Sequence, residues 1–244
     1  MNLQDKQKII IRAKDWMRSS LISNHLENTK KLASLKEFKI NPFLWPYLAN
    51  YYKGDTNYRS LAEVLILPRI LGTSITTTFG SSVQQFIATL FSDENFGSAV
   101  SGIDIEFIDT VDGRRKYCQL KAGPNALNRD DVKTISDHFN AVKNLARQNS
   151  LPIQLDDLVL GVIYGEPEEM NANIKKVSES YMVYSGKEFW YRLTGDEDFY
   201  QDLAVAMAEV ADEVDVREVI NETIGKLAEE IIQKYPEISQ SKEL

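Results

Sequence analysis

Apolar and polar positions alternate twice near the middle of the chain, along Ile103-Asp104-Ile105-Glu106-Phe107 and again along Tyr117-Cys118-Gln119-Leu120-Lys121. Asp112-Gly113 lies between the two runs, a dipeptide suited to a tight turn, so the pattern predicts a β-hairpin. Upstream the period changes. Residues 4–35 carry Ile9, Ile10, Ala13, Trp16, Met17 and Leu21 at helical spacing, a short helix is expected over Trp45–Tyr52 with its aromatics in a core, and another over Ser60–Ile70 with Ser60 and Glu63 as a capping box. Gly72–Gly80 reads as a hydroxyl-rich loop before a helix over Ser81–Phe91. Downstream, Asn128 should cap a helix that begins near Arg129, with Asp130 and Asp131 favouring its dipole and Val132, Ile135, Phe139, Val142 and Leu145 on its apolar face.

Asp157–Tyr164 is an almost unbroken apolar run, expected to be a strand covered on both faces; a short helix near 171–179 and a strand over Tyr181–Ser185 follow. Phe189, Trp190 and Tyr191 read as core, although Lys187 and Arg192 beside them would also suit stacking on bases. Phe199–Tyr235 should be helical, with Leu203, Met207, Val210, Val214, Ile220, Ile224, Leu227 and Ile231 on its stripes and a break near 212–215. Strand, helix and strand in that order imply a parallel crossover beside the antiparallel hairpin. The expected fold class is therefore α/β, a central mixed sheet flanked by helices on both faces. We expect one domain: a mainly helical region over 1–92, a mixed-sheet core over 93–195, and a helical region over 196–244 that suits a dimer contact.

A two-residue loop at Asp112-Gly113 would set Asp104 opposite Lys121 and Glu106 opposite Gln119. All four side chains would then share one pleated face, with Ile103, Ile105, Phe107, Cys118 and Leu120 on the other. Two carboxylates, an amide oxygen and an ammonium on one face suit Mg²⁺, which prefers hard oxygen ligands and keeps several waters. Cross-strand ion pairing on a solvated face accounts for the same pattern. Cys118 is the only cysteine, which excludes an internal disulfide and a thiolate zinc cluster, and it falls on the apolar face. Two histidines, His25 and His138, leave little material for zinc or triad chemistry.

Of the 244 residues 43% are hydrophobic, enough for an ordinary core, and no apolar run approaches 18 residues, so a membrane span or secretory signal is not expected and a cytoplasmic location is. The net charge of −8 argues against nonspecific nucleic-acid binding, but its distribution is uneven. Residues 1–92 hold 12 Lys/Arg against 6 Asp/Glu, and residues 122–244 hold 12 against 24. Such asymmetry fits a basic half facing an anion, with Lys6, Lys8, Arg12, Lys14 and Arg18 on the first helix, and it equally fits solvated charge runs.

Asp104 followed by Gln119-Leu120-Lys121 resembles the PD-(D/E)XK nuclease signature, an acid on one strand and acid-x-Lys on the next. With Gly102-Ile103-Asp104-Ile105-Glu106-Phe107, Gln119-Leu120-Lys121-Ala122-Gly123-Pro124-Asn125 and Pro68-Arg69-Ile70-Leu71-Gly72-Thr73-Ser74-Ile75, the chain is similar over roughly residues 40–200 to type II restriction endonucleases of the PmeII-like kind. The resemblance implies a restriction-endonuclease-like fold, a Mg²⁺-dependent homodimer cutting double-stranded DNA at a short, palindromic, GC-rich site, 5′-phosphate and 3′-hydroxyl ends, and a cognate DNA methyltransferase. It also implies a metal site at Asp104 and position 119, with Lys121 catalytic. Gln119 departs from that pattern, since an amide brings no charge, and Glu106 is the candidate for the missing carboxylate, with Glu63 next. An upstream helix often adds an acid in this superfamily; the positions here are Gln84 and Gln85. Arg69, Thr73, Ser74, Thr76, Asn125 and Arg129 are candidates for DNA contact. A repair or structure-selective nuclease on the same fold, and a DNA-binding module with a decayed centre, are the alternatives.

Overall fold

The computed structural model describes residues 1–93, 96–213 and 215–238, and of Asp212 the backbone alone. The chain forms two units: Met1–Trp16 with Phe79–Val210, and Met17–Thr78 with the described residues of Ala211–Leu244.

The first unit holds a four-stranded sheet in the order β1 (Ile105–Ile108), β2 (Arg115–Lys121), β3 (Leu158–Val162), β4 (Met182–Ser185). The hairpin β1/β2 is antiparallel and the pairs β2/β3 and β3/β4 are parallel, as the strand and helix order predicted. Helix α6 (Arg129–Gln148) makes the β2–β3 crossover and α7 (Ala172–Ser178) the β3–β4 crossover. Together they cover one face through Ile135, Phe139, Val142, Ile174 and Val177 against Leu158, Leu160 and Val162. Leu145, expected on that face, is exposed, and Ala146 takes the buried place. The other face packs α8 (Gly186–Thr194), where the Trp190 indole donates to the Ile163 carbonyl (2.9 Å) and Phe189 meets Phe107 edge-on. Phe189 and Trp190 are therefore core, and β3 is buried along its whole length.

Asn128 caps α6 at the expected residue. Its Oδ1 accepts from the Asp130 and Asp131 amides, and Asp131 Oδ2 accepts in return from the Asn128 amide (2.8 Å).

The hairpin loop differs from expectation. Ile105 faces Cys118 and Glu106 faces Tyr117, a register two residues from the one a two-residue turn would give. The loop is Thr110–Gly113, closed by the Asp109 amide on the Arg114 carbonyl (2.9 Å) and the Gly113 amide on the Asp109 carbonyl (2.8 Å), with Gly113 at φ +70°. Asp112 acts as a side-chain clamp, accepting from the Arg114 amide (2.9 Å) and from Lys116 Nζ (2.5 Å). A slip of two preserves the parity of the pleat, so Ile105, Phe107, Cys118 and Leu120 keep the expected apolar face, whereas Ile103, beyond the start of β1, packs with Ile135, Leu158 and Leu160 on the opposite one.

Lys116 is fully buried, its ammonium also 3.3 Å from Asp157 Oδ1. Asp157 pairs with Arg114 as well. Lys116→Ala empties a fully buried site and leaves Asp157 with Arg114 as its remaining cation, and should lower the midpoint of urea unfolding. An unchanged urea midpoint would mean that water already solvates this end of the sheet.

In this unit α1 (Leu3–Trp16) buries Ile9, Ala13 and Trp16, while three of its four cations are held by acids: Lys6 by Asp196 (3.0 Å) and Asp202 (2.5 Å), Arg12 by Asp93 (2.5 Å), and Lys14 by Glu209 of α9 (Phe199–Glu213). The charge asymmetry of the sequence is thus partly neutralised within the fold, and these cations already have carboxylate partners.

The second unit packs α2 (Ser23–Lys31), α3 (Trp45–Lys53), α4 (Tyr58–Pro68) and α10 (Arg217–Lys234) around Trp45, Leu61, Ile66, Ile70, Ile224, Leu227 and Ile231. Met17–Ile22 is a π-helical turn leading into α2; α9 ends at Glu213 and α10 begins at Arg217, so the helix is interrupted where expected, with Val214 outside the described residues. Asn57, not Ser60, caps α4, accepting from the Ser60 amide (2.9 Å). The segment expected as a loop over Gly72–Gly80 is helical instead. Pro68 has no amide proton to donate, the chain widens into a π-turn over Arg69–Ser74, and α5 (Ile75–Leu90) continues from it. Thr76 and Thr78 hydroxyls donate to the Gly72 and Ser74 carbonyls four residues back (2.7 and 2.9 Å), so both are satisfied within the helix. Of the aromatics in and just before α3 only Trp45 is core: Phe43, Tyr47, Tyr51 and Tyr52 are exposed, and Trp45 and Ala49 are the buried residues of the helix.

Candidate active site

Three elements of the first unit converge at the C-terminal end of β2. The strand supplies Gln119 and Lys121, the residues just before β1 supply Asp104, and the first three turns of α6 supply Asp131 and His138; α5 closes the side with Gln84. These residues line a cleft of about 330 Å³.

Asp104 is aimed by a break in the ladder. Ile105 is registered on Cys118, yet the Asp104 amide donates to the same residue's carbonyl (3.0 Å), so two residues face one, as in a β-bulge. Its carboxylate then turns across the end of the hairpin, where Oδ2 accepts from the Leu120 amide (2.6 Å). Gln84 Nε2 donates to the Asp104 carbonyl (3.1 Å), so this helix glutamine helps through a hydrogen bond. Burial pushes the Asp104 pKa up, against the Leu120 amide, Lys121 and His138, which favour its charged form.

Lys121 and Asp131 meet at 3.3 Å between Nζ and Oδ1, both half-buried. Gln119 is almost fully buried, and its Nε2 lies 3.0 Å from Nδ1 of His138. With that amide nitrogen accepted by the imidazole, the Gln119 carbonyl oxygen is directed away from it. His138 in turn lies against Gly102 (φ +84°), where a Cβ would fall 2.4 Å from the imidazole Cγ. Gly102→Val should therefore displace His138 and release Gln119, lowering activity and thermal stability together; a fully active, equally stable variant would refute this contact.

Asp104, Gln119 and Lys121 are thus brought together as expected, and Glu106 is not. It faces Tyr117, accepts from the Ser98 hydroxyl (2.7 Å), pairs with Arg115 (3.0 Å), and is absent from the lining of the cleft. The cause is the four-residue loop, which moves Glu106 two positions towards the turn. Glu63, the other candidate, is buried in the second unit and pairs with Lys53 (2.7 Å) and Arg59 (3.4 Å). Sequence reasoning assigned Asp131 only to a helix dipole and gave His138 no role; their seven-residue spacing on α6 was the available signal.

Among the candidates for DNA contact, Asn125 and Arg129 are exposed in the loop and first turn that follow Lys121. Arg69, Thr73, Ser74 and Thr76 belong to the second unit. There Arg69 donates to the Glu37 carbonyl and lies 5.4 Å over the Phe38 ring, and Ser74 Oγ is 3.3 Å from His25 Nδ1.

Among the described residues no three His, Cys, Asp or Glu side chains converge. A cation at this cleft would draw on Asp104, the amide oxygen of Gln119 and retained water, a donor set of hard oxygens that fits Mg²⁺ better than a softer metal. No described helix is long and apolar enough to cross a membrane.

Residues 13–215 match the family model described as type II restriction endonuclease EcoO109I. A search of curated protein sequences found no match.

Proposed function

The chain belongs to the type II restriction endonuclease EcoO109I family, and from that premise we propose that it cuts double-stranded DNA at a short, specific, palindromic site with Mg²⁺ as cofactor and a PD-(D/E)XK-type centre. The observation that carries the reading is the cleft that gathers Asp104, Gln119 and Lys121.

Asp104 and Gln119 would hold the ion. When bound, Mg²⁺ lowers the pKa of a ligated water and offsets negative charge on the scissile phosphate. The rest is done by the chain's own groups. Asp104 is fixed by the Leu120 amide and Gln84, so its orientation does not have to be won during the reaction. The Lys121 ammonium, tethered to Asp131, lies where it can stabilise charge that develops on phosphate. Gln119 is locked by His138 with its oxygen as the remaining acceptor. Asn125 and Arg129 border this group and are candidates for contact with the DNA backbone.

Cutting both strands of a symmetric site calls for two such clefts, which a C₂ homodimer supplies. The exposed aromatic face of α3 in the second unit offers an apolar surface for that contact. A cognate DNA methyltransferase would protect the same site by acting on the DNA rather than on this chain.

Incubation with supercoiled plasmid and Mg²⁺, followed by sequencing of the ends, tests the proposal. Discrete fragments with one common terminal sequence are expected. Ends without a common sequence would move the reading to a repair or structure-selective nuclease. Binding without cleavage would favour a decayed centre, the outcome that the neutral Gln119 makes worth testing.

A further inference from the structure

The motif strand leaves the cleft short of one negative charge. Gln119 occupies the position where the resembling nucleases carry an acid, and both carboxylates that the sequence offered instead are committed elsewhere: Glu106 to Ser98 and Arg115, Glu63 to Lys53 and Arg59. Besides Asp104, the carboxylate that lines the cleft is Asp131.

We propose that Asp131, on the first turn of α6, supplies the second carboxylate of the divalent-cation site, carrying the charge that Gln119 lacks. This rests on the nuclease reading above. Three features support it. Asp131 is half-buried in the same cleft as Asp104 and Gln119, so its charge is felt there with less screening than at an open surface. Its two oxygens have separate tasks: Oδ2 accepts from the Asn128 amide (2.8 Å) and fixes the side chain, while Oδ1 points to Lys121 (3.3 Å). Finally, the charge balance closes. The carboxylates of Asp104 and Asp131 against the Lys121 ammonium leave one net negative charge among these three groups, so a divalent ion turns the cleft positive and ready for a phosphate. Without Asp131 the empty cleft is neutral and has little to attract a cation.

The capping role of Asp131 is the competing explanation for its position, and substitution separates the two. Asn keeps a short acceptor for the Asn128 amide, and Gln at this helix position can complete a capping box, but neither carries charge. Mn²⁺ binding to the whole protein, measured by electron paramagnetic resonance of the free ion, is the readout, with thermal melting alongside. Asp131→Asn and Asp131→Gln should each weaken Mn²⁺ binding by about 10- to 100-fold while the melting temperature stays close to that of the unaltered protein. Asp104→Asn should weaken it similarly, and Glu106→Gln should leave it unchanged. If Asp104→Asn loses the ion while both Asp131 variants bind it normally, Asp131 is a cap alone, and the proposal falls with the nuclease reading intact. If the unaltered protein binds no Mn²⁺ and cuts no plasmid, both fall together.

Discussion

Asp104→Ala is expected to abolish DNA cleavage while leaving DNA binding largely intact. On the proposed reading the carboxylate is the acid of the nuclease motif; its position is set by the bulge at Ile105 and by the Leu120 amide, and it lines the cleft. On that reading, removing it would take away cation positioning and none of the candidate DNA contacts. Plasmid nicking together with gel-shift binding would test this, and full cleavage by the purified variant would remove Asp104 from the centre. The stability of Asp104→Asn adds an independent check. Burial holds the folded-state pKa of Asp104 above its unfolded value, so its ionised form opposes folding. The penalty is absent below the unfolded pKa and grows as pH rises through the folded one. Relative to the unaltered protein, Asp104→Asn should therefore gain thermal stability as pH rises from about 4 towards neutrality. A constant difference in melting temperature across that range would contradict the assigned burial effect.

Lys121→Ala should lower the cleavage rate by about 10²–10³-fold, the usual value of one preorganised charged contact to a developing anion. The effect on folding should be small. Its ion pair with Asp131 is partly exposed on both sides, and such pairs contribute about 0–1 kcal/mol after screening. Cleavage rate per folded molecule and the urea midpoint distinguish the two roles. A large fall in midpoint with an unchanged rate would make Lys121 structural.

The features legible in the sequence were those written in local periodicity and capping. The start of α6 at Arg129 followed from Asn128 and its acidic first turn, and the double burial of β3 followed from its unbroken apolar run. The parallel crossover could be read from strand and helix order. Features that depend on side chains closing on distant backbone were not legible. Asp112 reaches Lys116 and the Arg114 amide and widens the hairpin loop, which moved Glu106 out of reach of Gln119. Thr76 and Thr78 lie in a helix, their hydroxyls satisfied by its own carbonyls, where their residue types suggested a loop. Asp131 and His138 reach Lys121 and Gln119 only because α6 passes back over the strand that precedes it.

The second unit is assembled from two stretches separated by the whole of the sheet. Leu61, Ile66 and Ile70 share one cluster with Ile224, Leu227 and Ile231, about 160 residues further on. During synthesis at about 5–20 residues per second, the first half of that cluster waits roughly ten to thirty seconds on the ribosome before its complement emerges. The sheet-bearing unit is translated in the interval. Unpaired Leu61, Ile66 and Ile70 are then natural targets for a holding chaperone, and a chain truncated shortly after residue 210 would keep that apolar surface open permanently.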